Sequence, residues 1–573
     1  RLEIQGENMN TEVFSRSRVK GFLKAQGRIM VNEDGEEVIL RGFGAGNWNN
    51  PEGFMIGAFS DFSVPMEKKN VRAGRMDRGR SFAQLIQELC GTNYEKAFWP
   101  QWFRNHLGEE DICLMAQWGM NSVRLPLSAR TFLYEEPGIT FNEDTFAMLD
   151  QVLDWCEKYH LYAILDLHGA VGGQSALPCD DGVDGMPHLF YDEESWERTM
   201  ILCETLAKRY RDRTIVGGFD LINEPLSGPL WAEYLDKLKT FYGELVQRIR
   251  IYDKNHMLLL NGHIFSSRLD IFDHNYDPEC KNWGIAIHNY GAMPGYAMYA
   301  QAIEKSAQLD IPVWFGEGGG TPAWMCAVYE LAVEYHIGFN IWCYKSAADE
   351  HADRCFVSHR LPVEWPMIVS YAKDGGVRPS YSHAQKIFDA YLDLIRLENC
   401  DICSAVIPFI TRTPGCSVPA VAYDAVDEQG HAAFSGSYPY GNAFGCRLGD
   451  ATHILTEPGY VSSLGVIGPQ NVAGDWEHYE LSLSGGDFVC YTFRECTPEN
   501  QFMIIYRNAR HARIRVEFNG TRIYYGELNS DCRDVPSGLS LEPACEALTG
   551  RLKICVIEGE ITLKEIKLLG QKG

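Results

Sequence analysis

Eight short apolar runs, separated by long stretches of helical period, organise the first two thirds of the chain. They cover 38–44, 121–127, 162–167, 217–222, 257–261, 284–288, 313–316 and 338–342. Between them lie amphipathic segments such as Phe146, Leu149, Val152, Leu153 and Cys156, whose spacing predicts a helix. Continuous apolar strands alternating with helices predict a parallel sheet covered by helices on its outer face. Eight such units fit a closed (β/α)8 barrel better than an open doubly wound sheet. Two connections are long. One follows the first strand, from Trp48 to about residue 107, and carries Phe54, Phe59, Phe62, Trp99 and Trp102. The other follows the eighth, from Lys345 to about residue 377, and carries His351, Phe356, His359 and Trp365. Such loops either narrow a site or add helices to the barrel's side.

Beyond about residue 397 the period changes. Runs at 405–408, 479–483, 488–493, 502–506, 514–518 and 552–556 read as short strands punctuated by Gly, Asn, Asp and Pro. The expected architecture is α/β: a (β/α)8 barrel over 20–397, then an all-β sandwich or jelly roll over 398–573.

A chain of 573 residues is too long for one core, which agrees with two domains. Its net charge of −25 disfavours nucleic acid and anionic membranes as partners, because phosphate binding needs cationic surface. No apolar run approaches the roughly 18 residues of a membrane span. The 18 cysteines are spread along the chain, several of them (Cys113, Cys156, Cys203, Cys343) in apolar periodic segments, and show no zinc spacing, so most are expected as reduced thiols. That points to a bacterial cytoplasm, or to secretion if a leader preceded the sequence. Oligomeric state is not legible.

The candidate chemistry sits at strand ends. Glu224, in Asn223-Glu224-Pro225, follows the fourth run, and Glu317 closes the seventh. Two glutamates at the carboxyl ends of barrel strands are what glycoside hydrolysis needs, one to protonate the leaving oxygen and one to attack the sugar; a separation of about 5–5.5 Å would make the reaction retaining. The acid must be kept protonated by burial and by its neighbour, while the nucleophile needs donors, for which Arg124 and Tyr290 are candidates. His168 would hold a sugar hydroxyl or serve as a bonded structural residue. Asp166 reads as structural, and Trp342 as a sugar platform or barrel core. The acidic stretch from Asp180 to Gly185 lacks the bidentate glutamate of a calcium loop and reads as an exposed loop.

At these residues the chain resembles glycoside hydrolase family 5 over about 25–395. The matching pieces include Arg41-Gly42-Phe43-Gly44, Asn121-Ser122-Val123-Arg124-Leu125-Pro126, Leu165-Asp166-Leu167-His168-Gly169, Ile222-Asn223-Glu224-Pro225, His288-Asn289-Tyr290, Gly316-Glu317 and Trp342-Cys343-Tyr344-Lys345. The resemblance implies Glu224 as acid/base and Glu317 as nucleophile. It implies Asn223 at the sugar 2-hydroxyl, Arg124 and Tyr290 around Glu317, and His168, His288 and Trp342 lining the sugar. Trp48-Asn49-Asn50-Pro51-Glu52 and the loop from His168 to Gln174 are similar to the exo-β-1,3-glucanase branch, where Glu52 would grip the terminal sugar. Val171 departs from that branch's loop pattern, which leaves the linkage open. The stretch from Gly474 to Glu480 and the final strands resemble carbohydrate-binding jelly rolls, so the second domain is either glycan-binding or a structural companion.

The function expected is a retaining exo-acting β-glycosidase, cutting terminal β-glucosyl residues from an oligosaccharide or β-glucoside with no metal and no cofactor. The alternatives are an endo-acting β-glucanase or mannanase, and a non-catalytic glycan-binding protein.

Overall fold

Eight parallel strands close into a barrel: β1 (Arg41–Gly44), β2 (Ser122–Ser128), β3 (Tyr162–Gly169), β4 (Val216–Asp220), β5 (Met257–Asn261), β6 (Trp283–Asn289), β7 (Val313–Gly318) and β8 (Gly338–Ile341). Closure is made by β8 pairing in parallel with β1, from Phe339 opposite Arg41 to Ile341 opposite Phe43. The computed structural model describes residues 18–58, 76–348, 356–427, 429–442, 446–460, 478–528, 536–542 and 547–570. Phe59, Phe62, His351 and the stretch from Gly474 to Glu477 lie outside the described residues.

All residues of β2, β3, β4, β5 and β7 are buried, which is why these strands read as continuous runs rather than alternating ones. The barrel floor is filled by Leu40, Tyr162, Ile164, Met257, Leu259, Ala286 and Trp314, and Leu23, Met30 and Val38 plug it from below. The opposite, carboxyl end is left to polar side chains. Pro126 is tolerated within β2 because pairing with β1 stops at Gly44 opposite Arg124, so its missing N–H faces no strand.

The fourth run ends as a strand at Asp220, not Ile222; Leu221 and Ile222 already belong to the turn that delivers Glu224. The long connection after β1 both enters the mouth, through Glu52, and adds helices Gly79–Cys90 and Thr92–His106 to the barrel side. The Asp180 to Gly185 stretch corrects the sequence reading in part. Asp180 and Asp181 are buried, bonded to Ser175, Ser128 and Arg130, while Val183 and Asp184 face solvent.

The C-terminal region is antiparallel. Its frame is one strand of 23 residues, Ala547–Leu569, paired along most of its length with Gln501–Phe518 and on its other edge with Phe488–Cys496 and Tyr479–Ser484. The two runs expected at 502–506 and 514–518 are one strand interrupted by bulges, because a long partner holds both halves. The run at 405–408 is not a strand. Pro408 sits in the first turn of helix Ile407–Thr411, whose Ile407 and Ile410 are buried against helix Pro322–Glu334.

That helix carries the seam between the regions. Glu330 meets both terminal nitrogens of Arg494 at 2.7 and 2.8 Å. Glu334 accepts the backbone N–H groups of Ala425 and Val426 at 2.6 and 3.0 Å. Arg412 pairs with Asp424 at 2.9 Å. Among the described residues all cysteines are free thiols, and no helix is long and apolar enough to cross a membrane.

Candidate active site

Arg124 is the hub of the barrel mouth. It points inward from β2 and is fully buried, so its charge must be met by neighbours. Nε donates to Asp220 on β4 at 2.9 Å, one terminal nitrogen to Glu317 on β7 at 2.6 Å, and the other to Asn223 Oδ1 at 2.7 Å. The latter nitrogen also lies 3.2 Å from Asp166 on β3. One guanidinium thereby fixes four rim positions, and their carboxylates raise its own ionisation further. Asp220 is held in turn by Asn261.

Glu317 receives a second donor. Tyr290 is 43% exposed at the rim, yet its hydroxyl reaches Glu317 Oε1 at 2.5 Å. Burial, reinforced by the Glu317 charge, pushes that phenol well above its ordinary range, so it stays a donor. Both oxygens of Glu317 are therefore met by donors, an environment suited to a carboxylate.

Glu224 has a different surrounding. Its Oε1 lies 2.8 Å from His288 Nδ1. Burial, helped by the Asp166 charge, pushes its carboxyl up to about 7, against the pull of His168 and Arg124. His288 is itself held down to about 4, chiefly by burial, and so is neutral at neutral pH. Glu224, His288 and Glu317 each present an atom within 4.8 Å of the others. Two carboxyls at that distance with opposed environments can divide proton-donor and nucleophile roles. Two carboxylates and an imidazole also form a set that could ligate a divalent ion.

The turn carrying Glu224 is strained. Glu224 itself has φ 42° and Leu226 φ 53°, left-handed values that cost on the order of 1–3 kcal/mol each in a non-glycine residue. Gln174 over-determines the turn: its amide donates to the carbonyls of Asn223 and His168, both at 2.8 Å, and its carbonyl accepts from Ala170. Leu226 N donates back to the Gln174 main-chain carbonyl. The sequence reading quoted Gln174 in a motif but gave it no role, and it passed over Asp220 and Asn261. A buried amide at a fixed distance from His168 was the available signal.

His168 is placed by Asp166, 2.7 Å from its Nδ1. Burial keeps it down at about 4. Its Nε2 lies 3.3 Å from Asn223 Nδ2 and 3.9 Å from Glu52. Asp166 is structural, as expected, tying imidazole and guanidinium together. Glu52 is buried, and its carboxyl is pushed well above the usual range by burial and then by the charges of Glu317 and Glu224. Trp342 lies parallel to the His168 ring, with centroids 5.2 Å apart. It fits because Gly44 and Gly46 have no side chain there; a Cβ on either would lie 2.7 or 2.8 Å from the indole. All nine residues singled out in the sequence thus belong to one connected cluster at the barrel's carboxyl end.

A paired-carboxylate centre at the mouth of a closed (β/α)8 barrel is the class of protein these observations define. Residues 84–348 match a family described as cellulase (glycosyl hydrolase family 5). A β-xylosidase of Phanerodontia chrysosporium is 31% identical over 290 residues, covering 50% of this chain and 56% of that protein. A glucan 1,3-β-glucosidase of Schwanniomyces occidentalis is 27% identical over 226 residues, 38% of this chain and 49% of that protein. The chain spans about half the length of the curated relatives it matches. A solved endogalactoceramidase structure aligns over 95% of this chain and 99% of its own at 13% identity, with a TM-score of 0.44.

Proposed function

We propose that the protein is a retaining, exo-acting β-glycosidase that releases terminal β-linked sugar residues, of the β-glucosidase or exo-β-1,3-glucosidase type. The observation that carries this is the Glu224–Glu317 pair, with atoms within 4.8 Å and unlike surroundings. A gap of that order admits a sugar carbon but leaves no space for the water an inverting enzyme places between its carboxyls.

In this reading Glu317 attacks the anomeric carbon while Glu224 gives its proton to the glycosidic oxygen, so the C–O bond breaks as the glycosyl–Glu317 ester forms. Glu224, now anionic, takes a proton from water; that water attacks the same carbon and frees Glu317. Arg124 and Tyr290 place Glu317 and receive its charge when it leaves. Asn223, His168 and His288 line the sugar, and Trp342 offers it an aromatic face. Glu52 closes one end of the site and supports the exo mode. The names of both relatives, a β-xylosidase and a glucan 1,3-β-glucosidase, are β-glycosidase names and support the anomeric preference.

The same proposal divides the chain into a catalytic barrel, 20–397, and an accessory domain, 398–573. What supports the division is that the last long helix, Tyr381–Leu394, ends just before it and the antiparallel sheet begins beyond it, at Cys416–Pro419. The buried seam favours a structural companion over a freely tethered module.

The test is a panel of arylglycosides with gluco, xylo, galacto and manno configurations, followed by a laminari-oligosaccharide ladder. Hydrolysis of a β-gluco or β-xylo member, with single sugars released from chain ends, is expected. Release of longer fragments would make the enzyme endo-acting, and binding without turnover would make it a glycan-binding protein.

A further inference from the structure

Between the loops that follow β2 and β3 lies a small cavity of about 10 Å³, room for a single water. Three arginines line it, Arg80, Arg130 and Arg198, together with two carboxylates, Asp181 and Glu135. Arg80 comes from helix Gly79–Cys90, Arg130 from the turn after β2, and Arg198 from helix Glu193–Tyr210.

The charges of this lining do not cancel. Although burial opposes it, the Arg130 and Arg80 charges hold the Asp181 carboxyl below its usual range, so it is ionised. Glu135 pairs with Arg80. Three positive charges thus face two negative ones. Two neighbouring ions alter this little. Arg78 is neutralised by Asp77 at 3.1 Å, and Glu194, 3.7 Å from Arg198, has a side chain 70% exposed to water. In a chain of net charge −25, a locally positive cavity is out of character.

Hydrogen-bond donors are in surplus as well. Each guanidinium has five N–H groups. Arg130 gives one to the protein, from Nε to Asp181 at 2.8 Å. Arg80 gives three, to the Asp181 carbonyl and to both oxygens of Glu135. Arg198 also gives three, all to main-chain carbonyls, of Tyr134, Glu136 and Gly138. Arg198 is buried, so a cation met chiefly by carbonyls is short of counter-charge.

Size then decides the class of ligand. Space for one water does not admit phosphate, sulfate or an organic acid, whereas a chloride ion is only slightly larger than water. One surplus positive charge matches one monovalent anion, and spare guanidinium N–H groups are suited to hold it. We propose that this cavity is a halide site, filled by chloride, that ties the loops after β2 and β3 together. Ala170 and Asp181 both line it, and the loop between them carries Gln174, whose amide holds the turn of Glu224. Filling the site stiffens that loop.

The test joins crystallography to melting, both on the full chain. Crystals grown with sodium bromide should show an anomalous peak in the cavity, beside Arg130 and Arg198. In solution the melting temperature should be about 2 °C or more higher in sodium chloride than in sodium gluconate of equal ionic strength, with saturation by roughly 0.1 M. Arg130→Gln should erase the difference between the salts, and Arg130→Lys, which keeps the charge, should restore part of it. Absence of bromide from the cavity, equal melting in the two salts, a rise that never saturates, or a salt difference that survives Arg130→Gln would overturn the proposal. If Arg130→Gln fails to fold, the bromide map of the native chain decides.

Chloride should also raise kcat/KM, a consequence that rests on the hydrolytic reading above; an unchanged kcat/KM would overturn the link to the Glu224 turn. If bromide fills the cavity and melting responds while the chain hydrolyses no glycoside, the hydrolytic reading fails and the halide site stands.

Discussion

Arg124 and Glu224 show how single residues set the chemistry. Arg124 is a buried cation whose neighbours are three carboxylates and an amide, so any change there disturbs several rim positions at once. Glu224 is a buried carboxyl hydrogen-bonded to a neutral imidazole. Its folded-state ionisation, raised to about 7 from 4.5, has a definite sign. The folded protein holds this proton more tightly than the unfolded chain, so the stability it contributes is complete below about pH 4.5 and is lost as pH rises through about 7. Activity should follow the same direction, because the proposed acid loses its proton. We expect kcat/KM to fall on an alkaline limb near pH 7. Asp166 is also raised to about 7 by burial, so the assignment needs a second measurement. In the native chain the limb should be strong with an alkyl glycoside and weak with a nitrophenyl glycoside; an equal limb with both would assign it to Asp166.

The two glutamates should also separate kinetically. Glu317→Gln should cost at least about 10⁴-fold for every substrate, since in the proposed reaction Glu317 is the group that forms the ester. Glu224→Gln should cost about 10²–10⁴-fold for alkyl glycosides, and far less for nitrophenyl glycosides, which need no proton. Equal losses across leaving groups would remove Glu224 from the acid role.

At the scale of elements, the barrel strands were the most legible part of the sequence. Burial on both faces makes them continuous apolar runs, and polar residues collect at their carboxyl ends because the floor is filled by Tyr162, Met257 and Trp314. What escaped was anything set by a partner distant in sequence. The helix at Ile407–Thr411 carries a strand-like apolar run, and its packing against Pro322–Glu334 decides the outcome. The bonds that hold the Glu224 turn come from Gln174, an ordinary polar residue to a sequence reader. The left-handed stretch at Ile264 to Ser266 has no glycine to announce it.

The seam helix supports a prediction at this scale. Glu330 and Arg494 are both buried, and removing Arg494 takes away both direct hydrogen bonds to Glu330 and leaves it Arg412 at 4.0 Å. Arg494→Ala should destabilise the protein by about 3–5 kcal/mol, read from the denaturant midpoint, whereas the double change with Glu330→Ala should recover part of the loss. Additive losses would show that the pair contributes nothing specific.

For the whole molecule, the barrel places its chemistry at one end and its contacts with the antiparallel region along helix Pro322–Glu334, which follows β7 directly. The strand that carries Glu317 is thus braced from outside by the second region. Cutting the chain near residue 397 should cost stability first and catalysis only through it. A barrel fragment as stable as the full chain by thermal melting would contradict that.

The central claim is that Glu317 and Glu224 act on opposite faces of one anomeric carbon through a covalent intermediate. Proton magnetic resonance of the first sugar released from a β-arylglycoside, recorded before mutarotation, tests it most directly. The β-anomer is predicted, and initial appearance of the α-anomer would contradict the account.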